Sequence, residues 1–78
     1  MHLTIAKVDE TILDGEVYSA TLPTGDGEMT VLGEHMPLVT TLRAGTIRVR
    51  KTREADFDEF LVTSGVLEIT PEGATVLL

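Results

Sequence analysis

The stretch Leu22-Pro23-Thr24-Gly25-Asp26-Gly27-Glu28-Met29-Thr30-Val31-Leu32-Gly33-Glu34-His35-Met36-Pro37-Leu38 decides the fold. Gly25-Asp26-Gly27 is a tight turn by its chemistry, because glycine reaches positive φ freely and aspartate tolerates it. Glu28 to Leu32 then alternates, with Met29 and Val31 on one face, which is the period of a half-buried strand. His35-Met36-Pro37 is a second stop, since proline lacks an N–H and bars a helix through the residue before it. An acidic residue and a histidine are thus held at a rigid loop between two strand-like runs.

Outward from that stretch the same pattern repeats. Met1 to Val8 alternates, with Leu3 and Ile5 on one side and His2, Thr4 and Ala6 on the other, and predicts a first strand. Thr11 to Leu22 is a longer run. In isolation Asp14-Gly15 favours a hairpin turn inside it, and a bend or bulge that lets one strand continue is the alternative. Val17, Ser19 and Thr21 share one face of that run, with Tyr18, Ala20 and Leu22 on the other. Both faces carry apolar atoms, so the strand is expected to be covered on both sides.

Leu38 to Arg43 reads as a strand, Ala44-Gly45 as a turn, and Thr46 to Lys51 as the partner strand with Ile47 and Val49 inward. Thr52 to Asp58 is a charged hairpin tip. Phe57, Phe60 and Leu61 have helical spacing, but too few residues surround them to offset helix nucleation. Val66 to Thr70, a Pro71-Glu72-Gly73 turn and Ala74 to Leu78 complete the chain. The reading is an all-β fold, a small two-sheet sandwich of about 8–10 short, mainly antiparallel strands, with residues 1–78 forming a single domain.

Composition narrows the function. Valine, isoleucine and threonine supply 24 of the 78 residues, and β-branched side chains favour pleated strands. Net charge is −7, which disfavours non-specific contact with nucleic acid or an anionic membrane. Only three residues are aromatic, too few for a base-stacking platform. Five of the six basic residues lie between Arg43 and Arg53, either a solvated face that offsets the acidic excess or a patch for an acidic partner. No run approaches the ~20 apolar residues of a membrane helix, and no signal segment opens the chain.

Catalytic groups are missing. There is no cysteine and no Gly-x-Ser-x-Gly elbow, and only His2 and His35 are available as a base. Those two histidines lack zinc-ligand spacing, and the glycine-rich turn lacks the Gly-Lys-Ser/Thr of a phosphate loop. Neither a metal nor another cofactor is expected. From the residues alone, the function class is a small β domain that binds something, such as an adaptor taking a peptide or small ligand at a sheet edge.

The order leucine-proline, Gly25-x-Gly27-Glu28, a hydrophobic residue, then His35-x-Pro37-Leu38 resembles the amino-terminal domain of the epsilon subunit of F-type ATP synthases. Leu42-Arg43-Ala44-Gly45-Thr46-Ile47-Arg48-Val49-Arg50, Ser64-Gly65-Val66-Leu67-Glu68-Ile69 and Ala74-Thr75-Val76-Leu77-Leu78 resemble that family in the same order. The resemblance implies a β-sandwich, and it favours the bend over the hairpin at Asp14-Gly15.

It further implies a non-catalytic rotor part of a proton-driven ATP synthase, at the membrane's cytoplasmic face, without inserting into the membrane. There it would link the gamma subunit to the c-ring and transmit torque. By the same resemblance Asp26, Gly27 and Glu28 would face the c-ring, and His35, Met36, Leu38 and Thr40 would face gamma. Thr30, Gly33-Glu34, Ala44 and Val66 depart from the family's usual glycines and prolines, which reshapes the loops. The family usually continues into a helical hairpin that inhibits rotation and in some members binds ATP; without those helices no nucleotide is expected.

Overall fold

The computed structural model describes residues 1–33 and 37–78. Nine strands follow one another among them: β1 (His2–Lys7), β2 (Glu10–Glu16), β3 (Ser19–Thr24), β4 (Gly27–Leu32), β5 (Leu38–Leu42), β6 (Gly45–Arg50), β7 (Asp58–Val62), β8 (Gly65–Thr70) and β9 (Gly73–Leu77). No helix long and apolar enough to cross a membrane occurs among the described residues. The strand count and the mainly antiparallel pairing agree with the sequence reading.

Pairing runs β2-β1-β9-β8-β5 and β4-β3-β6-β7. A single residue pair, Thr24 opposite Leu42, joins the two sets. The ladder therefore curls over at that point into two layers. All pairs are antiparallel except β1 with β9.

Each layer turns one row of apolar side chains inward, as the period of two requires. Leu3, Ile5, Leu67, Ile69, Ala74 and Val76 come from the first layer, and Ala20, Leu22, Val31, Ile47, Val49 and Val62 from the second. Fully burying a leucine, isoleucine or valine contributes about 1.5–3 kcal/mol, so these rows supply the main force that closes the layers.

β3 is buried along its whole length. Its inner face packs in the core, and over its outer face the Thr21 hydroxyl bonds that of Thr30 on β4 while Glu28 of β4 reaches toward Arg48 of β6. This double covering matches the expectation drawn from its two-sided apolar pattern.

Three expectations are corrected. Thr11 to Leu22 is not one strand. Asp14-Gly15 stays in the ladder opposite Thr4 and Leu3, while the one-residue shift falls at Ile12, between Leu13 and Thr11. The true break is at Val17-Tyr18, where the chain passes from one layer to the other. The Val17 N–H donates to the Met1 carbonyl at 2.8 Å, and the Tyr18 N–H donates to the Arg50 carbonyl at 2.7 Å.

Because that crossing resets the alternation, Val17 joins Ala20 and Leu22 in the core rather than sharing a face with Ser19 and Thr21. Finally, β5 and β6 are not partners. β5 pairs with β8, and β6 with β3 and β7, so Ala44-Gly45 is a corner between layers and not a hairpin turn.

Registers place the turns at two ends. The β1–β2 turn, the β3–β4 hairpin, the β5–β6 corner and the β7–β8 turn gather at one end, since Leu42 lies opposite both Thr24 and Gly65, and Gly45 lies opposite Val62. The layer crossing at Val17-Tyr18, the β6–β7 loop, the β8–β9 turn, Gly33 and Pro37 lie at the other.

Candidate protein interface

The hairpin Thr24-Gly25-Asp26-Gly27 is fixed from inside by one side chain. The Thr24 hydroxyl accepts from the Asp26 N–H at 3.2 Å and donates to the Gly27 carbonyl at 2.6 Å. Gly27 sits at φ +116°, where a Cβ would be strained. From outside, the Gly25 N–H donates to the Thr41 carbonyl at 3.2 Å, and the Arg43 N–H donates to the Pro23 carbonyl at 2.9 Å. The tip is thereby braced against the β5–β6 corner. Exposed loops that carry contact residues on such a rigid frame are suited to recognition.

Asp26, Gly27 and Glu28 are brought together on this tip, Asp26 exposed and Glu28 64% exposed. Glu28 lies opposite Pro23 on the outer face, and its Oε2 is 3.6 Å from Arg48 Nη2 across β3. Arg48 in turn has its guanidinium carbon 5.6 Å from the centroid of the Phe57 ring, and Arg50 lies closer, at 4.3 Å. The Arg50 Nη1 also donates to the Arg53 carbonyl at 3.3 Å. Two of the clustered arginines are thus anchored on their own domain, against an aromatic ring.

Of the four residues expected to face gamma, two lie among the described residues, both on β5. Leu38 is half-buried against the core, and Thr40 is half-buried on the same side of β5. His35 and Met36 lie outside the described residues. β4 carries the chain from the Glu28 tip to Gly33 over roughly 17 Å, so the acidic tip lies at the opposite end of the layers from Gly33 and Pro37.

Sequence reasoning missed the outward row on the first layer. Val39 (66% exposed) and Leu77 (56% exposed) stand on the outer face with Val66, which lies opposite both Thr41 and Leu77. The signal was two adjacent apolar residues in one strand, Leu38-Val39 and Val66-Leu67, one of which must face out.

Two hollows lie elsewhere. One of about 390 Å³ lies between Met1 and the β8–β9 turn, lined by Ile69, Thr70, Pro71 and Glu72, at an end of the layers and not along a strand edge. A shallow dent of about 130 Å³ adjoins His2, Thr4, Thr70 and Thr75. His2 is held there by Asp14 at 2.5 Å, with Glu16 at 3.8 Å. No serine is among the dent's lining residues. Among the described residues no group of three or more histidines and carboxylates is placed to hold a metal.

What this geometry defines is a small two-layer β domain that carries an exposed acidic hairpin braced by hydrogen bonds. The model of the family described as ATP synthase, Delta/Epsilon chain, beta-sandwich domain matches residues 1–78, and the chain belongs to that family. It is 35% identical over 77 residues to an ATP synthase epsilon chain of Herminiimonas arsenicoxydans, covering 99% of this chain and 55% of that one. It is 32% identical to the epsilon chain of Bordetella avium, covering 54% of that protein. The chain therefore spans about half the length of the curated relatives it matches.

Among solved structures, it superposes with a TM-score of 0.86 and 30% identity on a chain of the Euglena gracilis mitochondrial ATP synthase, a structure described as OSCP/F1/c-ring in rotational state 1. That match covers 96% of this chain and 48% of the other. A chain of the Tetrahymena thermophila mitochondrial ATP synthase central stalk and c-ring gives a TM-score of 0.81 at 14% identity, covering 99% of this chain and 61% of that one, and attests the fold alone.

Proposed function

We propose that these 78 residues act as one unit, a non-catalytic rotor element of an F-type ATP synthase that joins the gamma subunit to the c-ring and transmits torque. The observation that carries this reading is the family match over the whole chain, on a domain whose acidic hairpin is braced from within by Thr24 and tied to the β5–β6 corner. A torque-bearing element needs stiffness and fixed contact residues rather than reactive groups. The curled ladder and the double hydrogen-bonded tie between hairpin and corner supply both.

In this reading Asp26, Gly27 and Glu28 face polar or basic loops of the ring, and His35, Met36, Leu38 and Thr40 belong to the gamma side. The domain then works as a peripheral part of the complex on the cytoplasmic face of an energy-coupling membrane. It needs no nucleotide for this task.

Co-purification tests the proposal. The tagged chain, expressed with the gamma subunit and c-ring of its source, is expected to retain both through size exclusion. Recovery of the folded chain alone, with gamma and ring assembled in the same extract, would overturn it.

A further inference from the structure

We propose that Arg48 is a positioning residue for the Glu28 carboxylate, so that the interface is set by a pair and not by a lone acid; this rests on the rotor reading above. Glu28 and Arg48 are far apart in sequence and sit on β4 and β6, with β3 between them. Register places Glu28 opposite Pro23 and Arg48 opposite Thr21, so the ion pair runs diagonally over the buried outer face of β3.

Arg48 Nη2 lies 3.6 Å from Glu28 Oε2, and Glu28 remains 64% exposed. A carboxylate has acceptor capacity on both oxygens. One oxygen is steered by the domain's own arginine, and the other is left to accept from a cation or N–H of the partner.

Arg48 is itself held from two directions. Its backbone is locked between β3 and β7 in the second layer, and its guanidinium faces the Phe57 ring. Phe57 is shared with Arg50, whose guanidinium lies nearer the ring centroid and is tied to the Arg53 carbonyl. The chain of support therefore runs from the β6–β7 loop, through a ring and a guanidinium, to the acid on the hairpin. A glutamate on a free tip would sample several rotamers and lose that freedom on binding; one restrained beforehand loses less.

The test is a double-mutant cycle with Glu28→Gln and Arg48→Met, reading affinity for the purified gamma–c-ring assembly. Arg48→Met alone should weaken binding about two- to five-fold, the size of an exposed ion pair. Glu28→Gln should weaken binding at least as much, and the double variant should be no weaker than Glu28→Gln alone. Arg48→Lys, which keeps a cation in reach, should recover part of the loss. A merely structural role would instead lower the melting temperature and give no such recovery.

Additive losses, or unchanged binding in Arg48→Met with Glu28→Gln impaired, would overturn the positioning role and leave the interface reading standing. Unchanged binding in Glu28→Gln would overturn both. If Arg48→Met fails to fold, Arg48→Gln and Arg48→Lys carry the same comparison.

Discussion

Thr24→Val removes one hydroxyl from the acidic hairpin and nearly nothing else, since valine keeps the shape of threonine. Thr24 is buried, and its hydroxyl makes two bonds, donating at 2.6 Å to the Gly27 carbonyl and accepting at 3.2 Å from the Asp26 N–H. Each such bond contributes a net of about 0.5–1.5 kcal/mol. Asp26 is exposed, so water can replace part of one bond, and the expected cost is about 1–2 kcal/mol. At about 4–8 °C per kcal/mol for a domain of this size, the melting temperature should fall by roughly 4–16 °C.

The molecule carries its own control. Thr70-Pro71-Glu72-Gly73, the β8–β9 turn, repeats the design: a threonine hydroxyl, an acidic residue two positions on, and a glycine at positive φ. There the bonds are longer, 3.5 Å and 3.3 Å, and the threonine is only half-buried. Thr70→Val should therefore cost less than half as much, because bonds near the distance limit contribute little. Thermal denaturation followed by circular dichroism reads both variants side by side. Equal losses, or a larger loss at Thr70, would refute the argument that the tight hydroxyl bonds at Thr24 brace the tip.

Gly73→Ala should be far worse than Gly27→Ala, as urea midpoints will show. Both glycines have positive φ, but a Cβ at Gly73 would also run into the His2 carbonyl, while one at Gly27 meets nothing. About 1 kcal/mol of strain is expected at Gly27 and more than ~2 kcal/mol at Gly73. Leu67→Ala, in the middle of the first layer's buried row, should cost about 2–5 kcal/mol by the same measurement. Glu28→Lys should leave stability within about 1 kcal/mol, as expected for an exposed pair, while a pull-down with assembled c-ring loses the chain. Equal capture of wild type and variant would count against the tip as a contact.

Strand existence was legible because single residues settle it. Leu3 and Ile5, Met29 and Val31, and Ile47 and Val49 alternate cleanly, and each pair faces the core where alternation puts it. Partner choice was not, because it depends on contacts distant in sequence. Ala44-Gly45 looks the same whether it closes a hairpin or turns a corner; the pairing of Leu42 with Thr24 and Gly65 decides it. At Val17-Tyr18, apolar residues of either parity fit a strand, so the crossing leaves no mark in composition.

The same limit applies at the site. Glycine and aspartate announce the hairpin tip by their backbone preferences. Nothing local announces that Arg48 reaches Glu28 over β3, or that Phe57 lies against two guanidiniums and outside the core.

β1 and β9, the first and last strands, lie side by side in parallel in the interior of the five-stranded layer, each flanked on both sides. That layer stays split into two parts until β9 docks, so folding waits on a contact between residues more than seventy positions apart, such as Leu3 with Ala74. Such long-range pairing makes for slow folding. In return, a pull along these two strands loads a row of hydrogen bonds together instead of peeling them one at a time, the kind of seam that the proposed torque-bearing role calls for.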